Sequence, residues 1–205
     1  MTYAIIIITS LVSAVALRNG ELMQRLLLSP YLVFRNRQWY RLITHALVHA
    51  NYLHLIVNMI VLLSFGKAVE SILRQLNMEG VIGHPALHYL MLYLGGAVVA
   101  TLTTLKKFRN DYSYQSVGAS GAVSGMIFFC IFFYPLNKLY LMGILPIPGI
   151  LFAVAYLIYS NYMSRKGGDN INHDAHFVGA VFGFIYPLLI SPKLITVFLK
   201  QLGLM

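Results

Sequence analysis

The chain has 205 residues, 59% of them apolar and only 10% charged, with a mean hydropathy of +0.72. A soluble domain is nearer a quarter charged, so the composition excludes an ordinary water-soluble fold and points to a lipid bilayer as the partner of this surface. The formal net charge is +9, but the Lys and Arg residues are scattered between apolar runs with no basic cluster or aromatic interleaving, which argues against nucleic acid and for helix ends facing headgroups.

Six hydrophobic segments follow in chain order, roughly 3–17, 45–66, 86–105, 118–136, 140–160 and 174–190. They predict an all-α, polytopic membrane protein of six transmembrane helices forming a single domain over 1–205. The first segment has the length of a signal peptide, with Ser13 to Ala16 as a weak processing site. It has no Lys or Arg ahead of its apolar run, so it is read as a span. Residues 18–44 form a long connection. Within it Leu22–Leu28 is apolar but too short to cross a membrane, and is expected to lie in the interface. Pro146 and Pro148 in the fifth segment and Pro187 in the sixth predict irregular backbone there. Cys130 is the only cysteine, so there is no intramolecular disulfide, and its neighbours Phe128 to Phe132 make it a packing residue.

Ionisable and polar groups inside spans are expensive and mark functional sites. Three groups stand out: His45, His49, His54 and Asn58 in the second segment, Gly118-Ala119-Ser120-Gly121 opening the fourth, and Asn172-His173-Asp174-Ala175-His176 opening the sixth. Segments two, four and six cross in the same direction, so these groups share one half of the membrane. His54 and Asn58 are four residues apart and point the same way from one helix. Gly121 with Gly125, and Gly179 with Gly183, form small-residue faces that let two helices approach closely. Such packing would bring the Ser120 hydroxyl to the His176 imidazole, the pairing that nucleophilic catalysis needs. His54, Asn58 and the backbone N–H groups of Ala119 and Ser120 are the candidate oxyanion donors. Asp174 is two residues from His176 and points elsewhere, so a dyad is expected rather than a triad.

Each element alone is weak. A single Gly-x-Ser-Gly is commonest as helix packing. His45 and His49 have the spacing of a zinc pair but lack the intervening Glu of a metalloprotease, and read as interhelical hydrogen-bonders. His173 reads as a rim residue. No metal or organic cofactor is expected.

Together the groups resemble the rhomboid family of intramembrane serine proteases. Trp39 to His49 is similar to the family's Trp-Arg region, with Arg41 as its structural arginine, although Tyr40 interrupts the pair. His54-Leu55-Ile56-Val57-Asn58 resembles its His-x-x-x-Asn motif, and Ala68-Val69-Glu70 its structural Glu. Gly118-Ala119-Ser120-Gly121 resembles the nucleophile motif, and Ala175-His176 through Gly179 and Gly183 the motif of the base. The resemblance implies cleavage of single-pass transmembrane protein substrates near the membrane surface by a Ser120–His176 dyad, without a cofactor. One departure is Ser124, where the family often carries an aromatic that stacks on the histidine. The resemblance therefore leaves the orientation of His176 unexplained.

It also implies a bacterial inner membrane, a cytoplasmic N-terminus and a site opening to the outer face. The positive charges argue the other way. Arg18, Arg25, Arg35, Arg37, Arg41, Lys106, Lys107, Arg109, Arg165 and Lys166 lie on the side of the candidate site, against Lys67, Arg74, Lys138, Lys193 and Lys200 on the other. The family topology is preferred, because several of those arginines belong to an interfacial loop. Two other function classes compete with the protease: a catalytically inactive rhomboid-like binder of membrane proteins, and a channel or transporter. Retention of Ser120, His176, His54 and Asn58 argues against the first. The almost purely apolar run from Ile127 to Phe133 argues against the pore lining of the second.

Overall fold

The computed structural model describes residues 1–141 and 145–205. It is mostly helical, and its helix starts are written in the sequence. Asn51, Ser29, Asn19 and Asn172 each cap a helix by accepting a backbone N–H, satisfying donors that the first turn leaves free. The order is α1 (Thr2–Ala16), α2 (Gly20–Leu26), α3 (Pro30–Arg35), α4 (Arg41–Thr44), a 3-10 turn (His45–Leu47), α5 (Tyr52–Met78), α6 (Pro85–Ala100), α7 (Leu102–Lys107) and α8 (Ser120–Phe133). Then come strands β1 (Lys138–Leu141) and β2 (Leu145–Pro148), α9 (Gly149–Lys166), α10 (His173–Ile190), a 3-10 turn (Pro192–Leu194) and α11 (Ile195–Gln201).

Three stretches are long and apolar enough to cross a membrane by themselves: Tyr52–Met78, Pro85–Lys107 and His173–Ile190. Helices α1 and α8 are apolar but shorter. The 14 residues of α8 rise about 21 Å, short of the roughly 30 Å of a bilayer core. Yet α8 is the centre of the molecule. From Gly121 to Phe133 only Ile127 is not fully buried, and α5, α6, α9 and α10 surround it. The outer faces are apolar and open, with Ile7, Ile8 and Leu11 on α1, Leu53, Val57 and Ile60 on α5, and Leu151, Val154 and Ile158 on α9 all exposed. Lipid is the partner such faces require.

The fold departs from the sequence expectations in four places. The second segment, expected over 45–66, begins as a helix only at Tyr52, where Asn51 caps it, and runs on to Met78. The all-α expectation is modified by an antiparallel hairpin in which Lys138 pairs with Pro148. The expected fifth span, 140–160, is therefore strand up to Pro148 and helix only from Gly149; its residues 142–144 lie outside those described. Proline, lacking an N–H, suits an edge strand and a helix start better than a helix interior, and Pro146 and Pro148 together move the boundary. Finally, Pro187 does not end α10, which continues to Ile190.

The connection between α1 and α5 is held by a buried cation. Arg41 donates to the carbonyls of Gln24 (2.8 Å) and Leu27 (2.6 Å) and to Gln38 Oε1 (2.6 Å). It thereby satisfies carbonyls that the end of α2 leaves unpaired. At the opposite end, Glu70 accepts from the Met1 amino group, the Thr2 N–H and hydroxyl, and Lys67, tying α1 to α5. Glu70 lies within α5.

Candidate active site

Contact between α8 and α10 builds the site. A side chain on Gly179 would run into the backbone of Gly121, and one on Gly183 into that of Gly125; a Cβ on Gly125 would lie 3.1 Å from the Gly179 carbonyl. The two helices thus touch backbone to backbone over one turn. Ser120 is the first residue of α8 and His176 the fourth of α10, and His176 Nε2 lies 2.7 Å from Ser120 Oγ. This is hydrogen-bond contact between a hydroxyl and a potential base, both half-buried.

Gly118 sets the approach to Ser120. Its φ of +116° is a conformation that side-chain-bearing residues rarely adopt, and its N–H donates to the His45 carbonyl at 2.9 Å. The chain before it is fixed too. Leu28 and Ser116 exchange backbone hydrogen bonds of 2.9 and 3.0 Å, joining the loop before Ser120 to the connection between α1 and α5.

His54 falls in the first turn of α5, because that helix starts later than the hydrophobic pattern predicts. Its ring stands over Gly118, and Asn58 donates its side-chain amide to the His54 carbonyl at 2.9 Å. Asn58 is buried and has a second amide hydrogen to offer. As the opening residue of α8, Ser120 has no intrahelical partner for its N–H. The Ala119 N–H, by contrast, is turned to His49 Nε2 at 3.4 Å. That bond must be exchanged before Ala119 can serve an oxyanion.

His49, His45 and His173 have partners of their own. His49 links elements, with Nδ1 3.3 Å from Ser13 Oγ and its ring edge-on to His54 at 5.0 Å. His45 instead bonds the Arg41 carbonyl of its own turn, so it does not join two helices. His173 is buried, not at the rim. Its Nε2 is 3.0 Å from Asp169, a bond that holds the Asp169 carboxyl below its ordinary value, and its Nδ1 has no partner among the described residues. Asp174 turns away from His176 to Lys107 (3.1 Å) and Ser164. Among the described residues no group of three or more His, Cys, Asp or Glu side chains is placed to hold a metal ion.

One neighbour of the pair was not foreseen from the sequence. Tyr156 of α9 lies nearly parallel to His176, with the planes 19° apart and the centroids 6.4 Å apart, and its hydroxyl is 2.6 Å from Ser124 Oγ. A lone tyrosine among fourteen in an apolar chain carries no signal of this role.

The chain is similar to several known proteins. It is 29% identical to the rhomboid protein YdcA of Bacillus subtilis over 158 residues, covering 77% of this chain and 70% of YdcA. It is 28% identical to the mitochondrial rhomboid-like protein 12 of Arabidopsis thaliana, covering 74% of this chain and 46% of that one. With the mitochondrial rhomboid protein 1 of Saccharomyces cerevisiae it shares 27% identity, over 73% of this chain and 41% of the yeast protein. The chain thus spans less than half the length of these two mitochondrial relatives. The rhomboid domain matches residues 36–193, more than half of the chain, and with its apolar helices this identifies an integral membrane protein that belongs to the rhomboid family.

Proposed function

We propose that the chain is an intramembrane serine endopeptidase that cleaves transmembrane protein substrates with Ser120 as nucleophile and His176 as base. The observation that carries this reading is the 2.7 Å contact between His176 Nε2 and Ser120 Oγ, in the first turn or so of two helices whose glycines touch. In the reaction, His176 takes the Ser120 proton as Oγ attacks the scissile carbonyl. The developing oxyanion accepts from the Ser120 N–H, His54 and the free amide hydrogen of Asn58. His176 then gives its proton to the departing amine, and water attacks the acyl-enzyme with His176 again as base.

All six apolar helices, α1, α5, α6 with α7, α8, α9 and α10, are read as spans, with α8 shielded from lipid by the others so that its shortness is tolerated. The single domain covers 1–205, the N-terminus is cytoplasmic, and the site opens to the outer face of a bacterial plasma membrane. Arg41, Glu70, Gly118, Gly121, Gly179 and Gly183 support the site without touching substrate.

The test is incubation of the purified protein in lipid with single-pass transmembrane substrates, beside Ser120→Ala. Wild type should cleave and take a fluorophosphonate at Ser120. The alanine variant should do neither while folding normally, and retained cleavage would sink the assignment. Capture of substrate with no cleavage by wild type would favour an inactive binder.

A further inference from the structure

Among the described residues His176 makes one side-chain hydrogen bond, to the serine it would activate, and no carboxylate bonds its other nitrogen. Something else must hold the ring plane, since a base aimed only by its own nucleophile loses its aim as the proton moves. The rings around it supply two walls. His173 stands edge-on at 5.9 Å and 73°, and Tyr156 lies parallel at 19°.

Tyr156 is itself fixed. Its hydroxyl is bonded to Ser124, which is 3% exposed and one turn beyond Ser120 on α8. Phe128 at 5.5 Å and Phe152 at 5.6 Å pack on its ring. The helix that carries it packs on α10 and α8 by one face, where Ala153 and Ser160 are buried. α9 faces outward with Leu151, Val154, Ile158, Tyr159 and Tyr162 exposed. It is followed by Gly167 and Gly168, both with positive φ.

We propose that Tyr156 is the positioning residue of His176. It comes from the helix next to the one bearing the nucleophile and is latched to that helix through Ser124, so the base is aimed only while α9 is seated against α8. A stacking ring carried by α8 itself would track the nucleophile automatically; here alignment depends on the seat between two helices. The inference rests on the dyad reading, and it explains how the imidazole is oriented where Ser124 offers no aromatic surface.

Four variants test it: Tyr156→Ala, Tyr156→Phe, Ser124→Ala and the double Ser124→Ala/Tyr156→Phe, assayed in lipid on a transmembrane substrate. Loss of the ring should lower kcat about tenfold or more, with KM changed less than about twofold, as a misaimed base would. Tyr156→Phe and Ser124→Ala keep the ring and lose only the latch, so each should lower kcat by about threefold. Their combination should be no worse than either, since both remove one hydrogen bond. A Tyr156→Ala protein that labels at Ser120 and turns over at the wild-type rate overturns the proposal. So do latch effects that multiply in the double variant, a result that remains readable if the alanine variant fails to fold.

A readout independent of cleavage separates this inference from the protease reading. In 13C-histidine NMR of the whole protein in lipid, the His176 ring signals, assigned with His176→Ala, should carry a ring-current shift. The shift should be present in wild type and Tyr156→Phe and vanish in Tyr156→Ala. That shift in a wild type that cleaves nothing would overturn the protease and keep the placement. Its absence in a wild type that cleaves overturns the placement alone.

Discussion

A methyl group on Gly118 would meet the ring of His54 at 2.8 Å from Cε1 and 3.0 Å from Nε2. The residue that lets the chain turn toward Ser120 is therefore also the residue that makes room for the proposed oxyanion donor, and a substitution at Gly118 disturbs both. Gly118→Ala should destabilise the protein by about 1–3 kcal/mol through its positive φ and displace His54 as well. Cleavage should fall further than the melting temperature explains. Wild-type activity in this variant would show that the ring does not need its present place.

The base is tested by comparing two histidines one turn apart. His176→Ala should reduce turnover to the level of Ser120→Ala, because members of one catalytic unit are not additive. His173→Ala should keep the larger part of the activity but melt earlier, since it removes a buried ring and its bond to Asp169. A reversed order of activities would name His173 as the base.

For His54 and Asn58 the expected signature is kinetic. Donors that act on charge present only in the transition state lower kcat more than they raise KM. Each alanine substitution should cost about 2–4 kcal/mol in activation free energy and leave measurable cleavage. Asn58 also bonds the His54 carbonyl, so its variant needs a melting curve beside the rates. Destabilisation that accounts for the whole loss would reduce Asn58 to a structural residue.

The glycine contact predicts an asymmetry between partners. A Cβ on Gly183 would strike the Gly125 backbone, whereas one on Gly125 would lie 3.1 Å from the Gly179 carbonyl. Gly183→Ala should therefore lower stability by about 1–3 kcal/mol and part Ser120 from His176, with Gly125→Ala the milder change. Equal melting temperatures for the two variants would contradict the packing.

Much of this arrangement was legible in the sequence because the membrane makes a few signals loud. A polar residue in an apolar run stands out and spacing by four assigns a helix face; these were enough to expect the Ser120–His176 contact and to put His54 and Asn58 one turn apart on α5. What was not legible depended on tertiary contact. Tyr156 resembles any interfacial tyrosine until α9 is placed beside α8. His173 looked like a rim residue until Asp169 and Tyr159 closed over it. The Ala119 N–H looked free because nothing in the spacing revealed that His49 reaches it. Helix α5 was expected to start too early because His45 to Val48 is as apolar as a span, and only the Asn51 cap marks the true beginning.

The paired Leu28 and Ser116 have a mechanical meaning. Leu28 ends the stretch whose carbonyls Arg41 gathers, and Ser116 stands four residues before Ser120. With Leu22–Leu28 in the interface, as the sequence leads one to expect, the height of Ser120 would be gauged from the headgroup layer by this paired backbone and not from the middle of the hydrocarbon by the length of α8. Under the proposed activity, the protein would measure its cutting point downward from the surface like a depth stop on a drill, so thickening the bilayer should leave the distance from cut to surface unchanged.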